Sequence, residues 1–231
     1  MIFRQLFERE SSTYTYLIGC EKSREAVLID TVKEEAPRYI QLLEELGLKL
    51  TYVLDTHTHA DHVTGAGVLR TATGCATFLG EQAGSDCVSQ TLADGEEIAF
   101  GTLRIKALHT PGHTDDSYSF VLEEGGQTYA FTGDTLLIRG TGRTDFQNGN
   151  ADDQYHSLFD KLLVLPENTW VYPAHDYKGW MVSTLHEEKL HNPRLQVNNA
   201  IEYAEIMNNL NLPNPKMMDV AVPANRACGN V

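Results

Sequence analysis

The chain has 231 residues, 42% of them hydrophobic and 22% charged, the composition of a globular domain with a sizeable core rather than of a disordered segment. A net charge of −14 and a pI of about 5.0 argue against nucleic-acid and anionic-membrane partners. No apolar run approaches the roughly 18–20 residues of a membrane span. The opening MIFRQLFERESSTY carries charges where a secretory signal needs its apolar stretch, so the expected location is the cytoplasm, or the mitochondrial matrix if a transit segment was removed. In chain order, TYTYLIG (13–19) alternates and EAVLID (25–30) is a short apolar run, both read as strands. EEAPRYIQLLEELG (34–47) has Ile40, Leu42, Leu43 and Leu46 at helical spacing and stops at Gly47. TYVLD (51–55) is another strand, and VTGAGVLRTATG (63–74) a short helix closed by Gly74. Strands are expected within 101–112, 116–134 and 169–174, with a hairpin turn at Glu-Gly-Gly-Gln (124–127). Residues 152–166 place Tyr155, Leu158, Phe159, Leu162 and Leu163 on one face of a helix ended by Pro166, a final helix covers 196–210, and the Pro-rich close, 213–231, is expected to be extended. Helices and strands interleave while hairpins break strict βαβ order, which predicts one α/β domain over 1–231 with mixed sheets covered by helices.

The chemistry-bearing residues follow predicted strands. YVLDTHTHADH ends in His57, His59, Asp61 and His62; RIKALHTPGH ends in His113; YAFTGD ends in Asp134; WVYPAH ends in His175. Donors at the C-terminal ends of separate strands can converge on one rim of a sheet, where α/β sites tend to sit. In an extended segment His57 and His59 share a face, and Gly112 and Gly133 let the backbone come close beside His113 and Asp134. Imidazole and carboxylate without thiolate suit zinc, iron or manganese. Donor count alone favours two metals, since all seven positions of a dinuclear hydrolytic site are filled: His57, His59, Asp61, His62, His113, Asp134 and His175. His109, His156, His186 and His191 lie outside the pattern. Cys20, Cys75, Cys87 and Cys228 form no CxxC pair and are read as reduced, mostly buried thiols. Arg143 and Asp145 read as an ion pair bracing the loop after Asp134, with support of the donors as the other reading.

His57-Thr58-His59-Ala60-Asp61-His62 followed by His113, Asp134 and His175 resembles the signature of the metallo-β-lactamase superfamily. Within it the chain is similar to the persulfide dioxygenases, on THADHVTG (58–65), GRTDFQ (142–147), PAHDY (173–177), NPRL (192–195) and AVPAN (221–225). The resemblance implies an αββα sandwich of two mixed sheets flanked by helices. It implies one Fe(II) per chain held by His57, His113 and Asp134, and oxidation of glutathione persulfide by O2 to sulfite and glutathione. His59, Asp61, His62 and His175 would then orient ligands and water, with His59, Asp61 and Tyr177 taking part in catalysis, and a homodimer is the implied assembly. The alternative is a dinuclear zinc thioesterase of the glyoxalase II type, in which those four donors hold a second metal. Tyr177, Lys178 and Arg226 are the candidates to contact glutathione. Lys178 reads equally as a surface lysine. Arg226 stands one position earlier than the family's usual basic residue, where Ala227 is found, and in an extended chain that shift turns its side chain to the opposite face.

Overall fold

The structure, a computed structural model, describes residues 1–210, 212 and 217–229. They group into two compact units, one made of Met1–Leu92 with Ile98–Arg104 and the described part of 214–231, the other of Ala93–Glu97 and Ile105–Pro213. The first unit opens on strands β1 (Ile2–Phe7), β2 (Tyr14–Gly19) and β3 (Glu25–Ile29), followed by helix α1 (Ala36–Leu46) and strand β4 (Lys49–Leu54). Helix α2 (Ala66–Thr73) and strands β5 (Ala76–Gly80) and β6 (Gln90–Leu92) complete a six-stranded sheet in simple order β1 to β6. The β1–β3 pairings are antiparallel and the β3–β6 pairings parallel. Parallel strands need crossover connections, and α1 and α2 provide those from β3 to β4 and from β4 to β5. Both helices end where the sequence places a glycine, Gly47 (φ 60°) and Gly74 (φ 74°), each in the left-handed region that a C-terminal cap uses. Tyr39, Leu43 and Leu69 from these helices pack with Leu17, Leu28 and Val53 of the sheet.

Strands β7 (Glu97–Phe100), β8 (Leu103–His109), β9 (Tyr118–Glu124), β10 (Gln127–Gly133), β11 (Trp170–Pro173) and β12 (Ser183–Thr184) form a second sheet in the order β12-β11-β10-β9-β8-β7. The β9–β10 hairpin turns through Gly125 (φ 61°) and Gly126 (φ 80°), the paired positive φ of a type I′ turn. β10 and β11 are parallel, joined across helix α3 (Ala151–His156) and the π-helical turn that continues it over Ser157–Leu162. Leu158, Leu162 and Leu163 of this segment pack with Leu136, Val171 and Leu185, and with Tyr203 and Met207 of α5 (Ala200–Asn208). Helix α4 (Leu185–His191), which the sequence did not suggest, starts at a capping box formed by Thr184 and Glu187.

Three expectations change. The last long helix begins at Ala200, not 196, because the Asn199 side chain caps it by accepting from the Glu202 backbone N–H. The closing segment is not extended throughout: Met218–Arg226 form helix α6 with Pro223 inside it. Ala221, Ala224 and Asn225 recur at helical spacing and are all buried, and that buried face outweighs the backbone hydrogen bond lost at Pro223. Residues 213–216, 230 and 231 of that segment lie outside the described residues. Cys87 and Cys228 are not free thiols; they form a disulfide with an S–S distance of 2.03 Å, leaving Cys20 and Cys75 as buried free cysteines. Nothing in the spacing of the two half-cystines, 141 residues apart, announces the pairing. Among the described residues no helix is long and apolar enough to cross a membrane.

Candidate metal centre

In the first unit the donors sit on the loop that leaves β4, not on an extended strand tip. His57, His59 and His62 are all buried, and their rings neighbour one another with centroids 4.1 Å apart for His57–His59 and 4.3 Å for His59–His62. The loop winds instead of alternating, so the histidines meet through bends. Asp30, which the sequence reading passed over, is the hub beneath it. It follows β3, the parallel neighbour of β4, and turns its carboxylate inward through a left-handed backbone (φ 54°). Asp30 Oδ1 accepts from the Thr56 backbone N–H at 2.7 Å, and Oδ2 accepts from the Thr56 hydroxyl at 3.0 Å. With that hydroxyl proton committed to Asp30, Thr56 Oγ1 is the acceptor for His57 Nδ1 at 3.0 Å. This fixes the tautomer that leaves His57 Nε2 as the donor to a metal. His59 Nε2 lies 3.2 Å from Asp30 Oδ1, which by the same logic turns His59 Nδ1 outward. Asp61 Oδ2 pairs with His62 Nδ1 at 2.8 Å and accepts from Thr13 Oγ1 at 3.2 Å.

A second missed carboxylate, Asp55, accepts from the Thr64 hydroxyl at 2.7 Å. Asp30, Asp55 and His59 place donor atoms within 4.8 Å of one another. Burial pushes the Asp55 carboxyl up to about 7, with the nearby Asp30 charge adding to the rise, and burial pushes Asp30 up to about 6 against the opposing pull of His57 and of its bonds from Thr56. A buried carboxylate pair under a histidine loop is stabilised when a cation sits close by.

The second unit brings His113, Asp134 and His175 together from the ends of three strands, as the sequence predicts. Asp134 follows Gly133 at the end of β10, His175 comes two residues after β11, and His113 four residues after β8. His113 Nδ1 donates to the Arg143 carbonyl oxygen at 2.7 Å, leaving Nε2 to point at Asp134 Oδ2, 3.6 Å away. Asp134 Oδ1 pairs with His175 Nδ1 at 2.7 Å. Two donors bound to one ion at about 2.1 Å in tetrahedral or octahedral geometry lie roughly 3.0–3.5 Å apart, so the His113–Asp134 separation fits a shared metal, and two imidazoles with a carboxylate suit iron or zinc. Close packing holds this set. A Cβ at Gly142 would lie 2.3 Å from the Asp134 carbonyl oxygen and 2.7 Å from His113 Nδ1; at Gly112 (φ 133°) it would strike Gln154 at 2.2 Å. Arg143 and Asp145 make the expected ion pair, bidentate at 2.6 and 2.8 Å, with the guanidinium 4.3 Å over the Phe146 ring. It braces the loop whose Arg143 carbonyl orients His113.

Of the candidate substrate contacts, Tyr177 is 70% exposed and stacks parallel to His175, centroids 6.2 Å apart. Asp176 Oδ2 folds the loop beyond it by accepting from the backbone N–H groups of Lys178 and Trp180 at 2.8 and 2.7 Å, and Lys178 is exposed. Arg226 is exposed near the end of α6. In a helix its one-residue offset is a turn of about 100°, not the reversal of face that an extended chain would give. His109, His156, His186 and His191 lie outside both donor sets. His109 Nε2 pairs with the Asp115 carbonyl oxygen at 2.9 Å, and His156 with Asp160 at 2.7 Å on the surface of the α3 segment.

Comparison with known proteins gives these donor sets a context. The family model of the metallo-β-lactamase superfamily matches residues 9–84 and 90–192. The chain is 50% identical to the mitochondrial persulfide dioxygenase ETHE1 of Mus musculus over 230 residues, covering 99% of this chain and 89% of that protein. It is 54% identical to ETHE1 from Myxococcus xanthus, whose crystal structure superposes with a TM-score of 0.95 over 99% of this chain and 100% of that one. A probable hydroxyacylglutathione hydrolase of Schizosaccharomyces pombe is 38% identical over 168 residues, 71% of this chain and 64% of that protein.

Proposed function

This chain belongs to the metallo-β-lactamase superfamily, and from its identity to persulfide dioxygenases along nearly its whole length we infer that it is one itself, an enzyme that uses O2 to oxidise a persulfide. Its fold is the superfamily's α/β arrangement of two mixed sheets flanked by helices. One observation carries the activity: identity to persulfide dioxygenases runs at 50% over 99% of the chain, while identity to the hydrolase falls to 38% over 71%.

We propose one domain over 1–231. A single Fe(II) is held by His57, His113 and Asp134, and the substrate is glutathione persulfide, oxidised to sulfite and glutathione. Ferrous iron in such a triad supplies oxygen activation that no side chain provides. The chain's own residues do the positioning. Thr56 and the Arg143 carbonyl set the tautomers of His57 and His113, and His175 steadies Asp134. Bringing both reactants to one place removes most of the entropic barrier to their meeting. His59, Asp61 and His62 orient ligands and water, and His59, Asp61 and Tyr177 serve the reaction directly. Tyr177, Lys178 and Arg226 contact the glutathione moiety. We place the enzyme in the cytoplasm or the mitochondrial matrix, as a homodimer.

The second reading, a dinuclear zinc thioesterase, is favoured by one observation: none of the four further donors His59, Asp61, His62 and His175 is missing. Purified, metal-quantified protein assayed for O2 consumption with glutathione persulfide and, in parallel, for hydrolysis of S-lactoylglutathione separates the two. O2 uptake with sulfite formation is expected. Thioester hydrolysis without O2 uptake would replace the dioxygenase with the hydrolase.

A further inference from the structure

Loop 55–65 has almost no regular structure of its own to hold it, yet its histidines must keep a fixed geometry if they serve a metal. The fixing group comes from the far end of the sequence. Asn225, on the buried face of α6, is only 3% exposed. Its Nδ2 donates to the carbonyl oxygens of His59 and His62, both at 2.8 Å, and its Oδ1 accepts from the Thr64 backbone N–H at 2.8 Å. Three bonds from one amide thus satisfy three backbone groups of the loop that neither strand nor helix pairs.

The helix that carries Asn225 is itself fastened to the same unit. Cys228 is bonded to Cys87, the Ser85 hydroxyl donates to the Arg226 carbonyl oxygen at 3.2 Å, and the Gly67 N–H donates to the Cys228 carbonyl oxygen at 3.0 Å. Gly229 closes against the loop so tightly that a Cβ there would lie 2.2 Å from the Thr64 carbonyl oxygen.

We propose that Asn225 is the positioning residue of the histidine loop: through its side-chain amide, α6 sets the backbone of His59 and His62 before any metal arrives. The role rests on the reading of that loop as part of the metal centre, but the three bonds of the amide run between protein groups alone.

The test compares Asn225→Ala and Asn225→Asp with Val220→Ala, an exposed position on the same helix. Asn225→Asp keeps the shape and the acceptor but puts a carboxylate oxygen against the two carbonyls. Hydrogen–deuterium exchange on the metal-free proteins should show residues 57–64 exchanging at least about tenfold faster in both Asn225 variants, with β2 unchanged. Fe(II) affinity should fall at least about tenfold, while Val220→Ala matches the parent in both. A loop as protected as in the parent, a uniform rise in exchange in the Asp variant as well as the Ala variant, or an unchanged Fe(II) affinity would each overturn the proposal. Because exchange is read without metal or substrate, failure of the dioxygenase assay would leave this result standing, and the reverse.

Discussion

The two units build their donor sets in opposite ways. In the first, the donors are neighbours in sequence, spread over six residues, but the loop carrying them depends on distant chain for its shape: Thr13 and Asp30 from around the first strands and Asn225 from α6. In the second, His113, Asp134 and His175 are far apart in sequence, yet β8, β10 and β11 deliver them to one place, and glycine contacts lock them there. A compact motif is easy to read and structurally dependent on the rest of its unit; a scattered one is harder to read and rigidly scaffolded. Substitution of donors and of their supports should separate these two modes.

The largest effect is expected from the scaffolded set. His113→Ala or Asp134→Ala should abolish Fe(II) binding and O2 uptake, a loss beyond the roughly 10–100-fold that follows removal of a supporting hydrogen bond. Metal analysis and an oxygen electrode check it, and full activity in both variants would remove them from the ligand set. Next is Gly142→Ala. Its Cβ would press on both the Asp134 carbonyl and His113, so stability should drop by about 1–3 kcal/mol and kcat/KM by at least tenfold, read by thermal melting and steady-state rates. If the site tolerates alanine, the tight packing of the second unit is not what holds its donors.

A smaller effect, with a sign, is expected at Asp55. Its carboxyl is raised from 3.8 to about 7 by burial and by Asp30, so in the metal-free chain the folded state binds more protons than the unfolded one between pH about 4 and about 7. That contribution to stability is fully present below pH about 4 and is lost as pH rises through about 7. Asp55→Asn should remove it, so the difference in melting temperature between variant and parent, measured without metal, should change across this window. A pH-independent difference would place the proton elsewhere. The smallest effect belongs to the Arg143–Asp145 pair, whose Asp145 end is exposed: Asp145→Ala should cost about 0.2–1 kcal/mol, because the Phe146 stacking and the loop backbone remain.

What the sequence made legible follows from range. Gly47 and Gly74 stop their helices, the Gly125–Gly126 turn closes its hairpin, and the second unit's donors follow their strands, all because these signals act over a few residues. Asp30 was missed because a lone aspartate after a strand gains meaning only when the parallel neighbour strand brings Thr56 and His59 onto it. Asn225 falls in AVPAN, where the proline density points to an extended chain and masks the helical spacing of Ala221, Ala224 and Asn225. The Cys87–Cys228 bond and the Asn225–His59 contact join positions 141 and 166 residues apart, a range at which periodicity carries no information.

The most direct measurement of the central claim is metal content per chain set against turnover on one preparation. About one iron per chain is expected, with O2 uptake on glutathione persulfide rising in proportion to iron loading and vanishing on its removal. Two zinc ions per chain, with O2 uptake indifferent to iron, would contradict it.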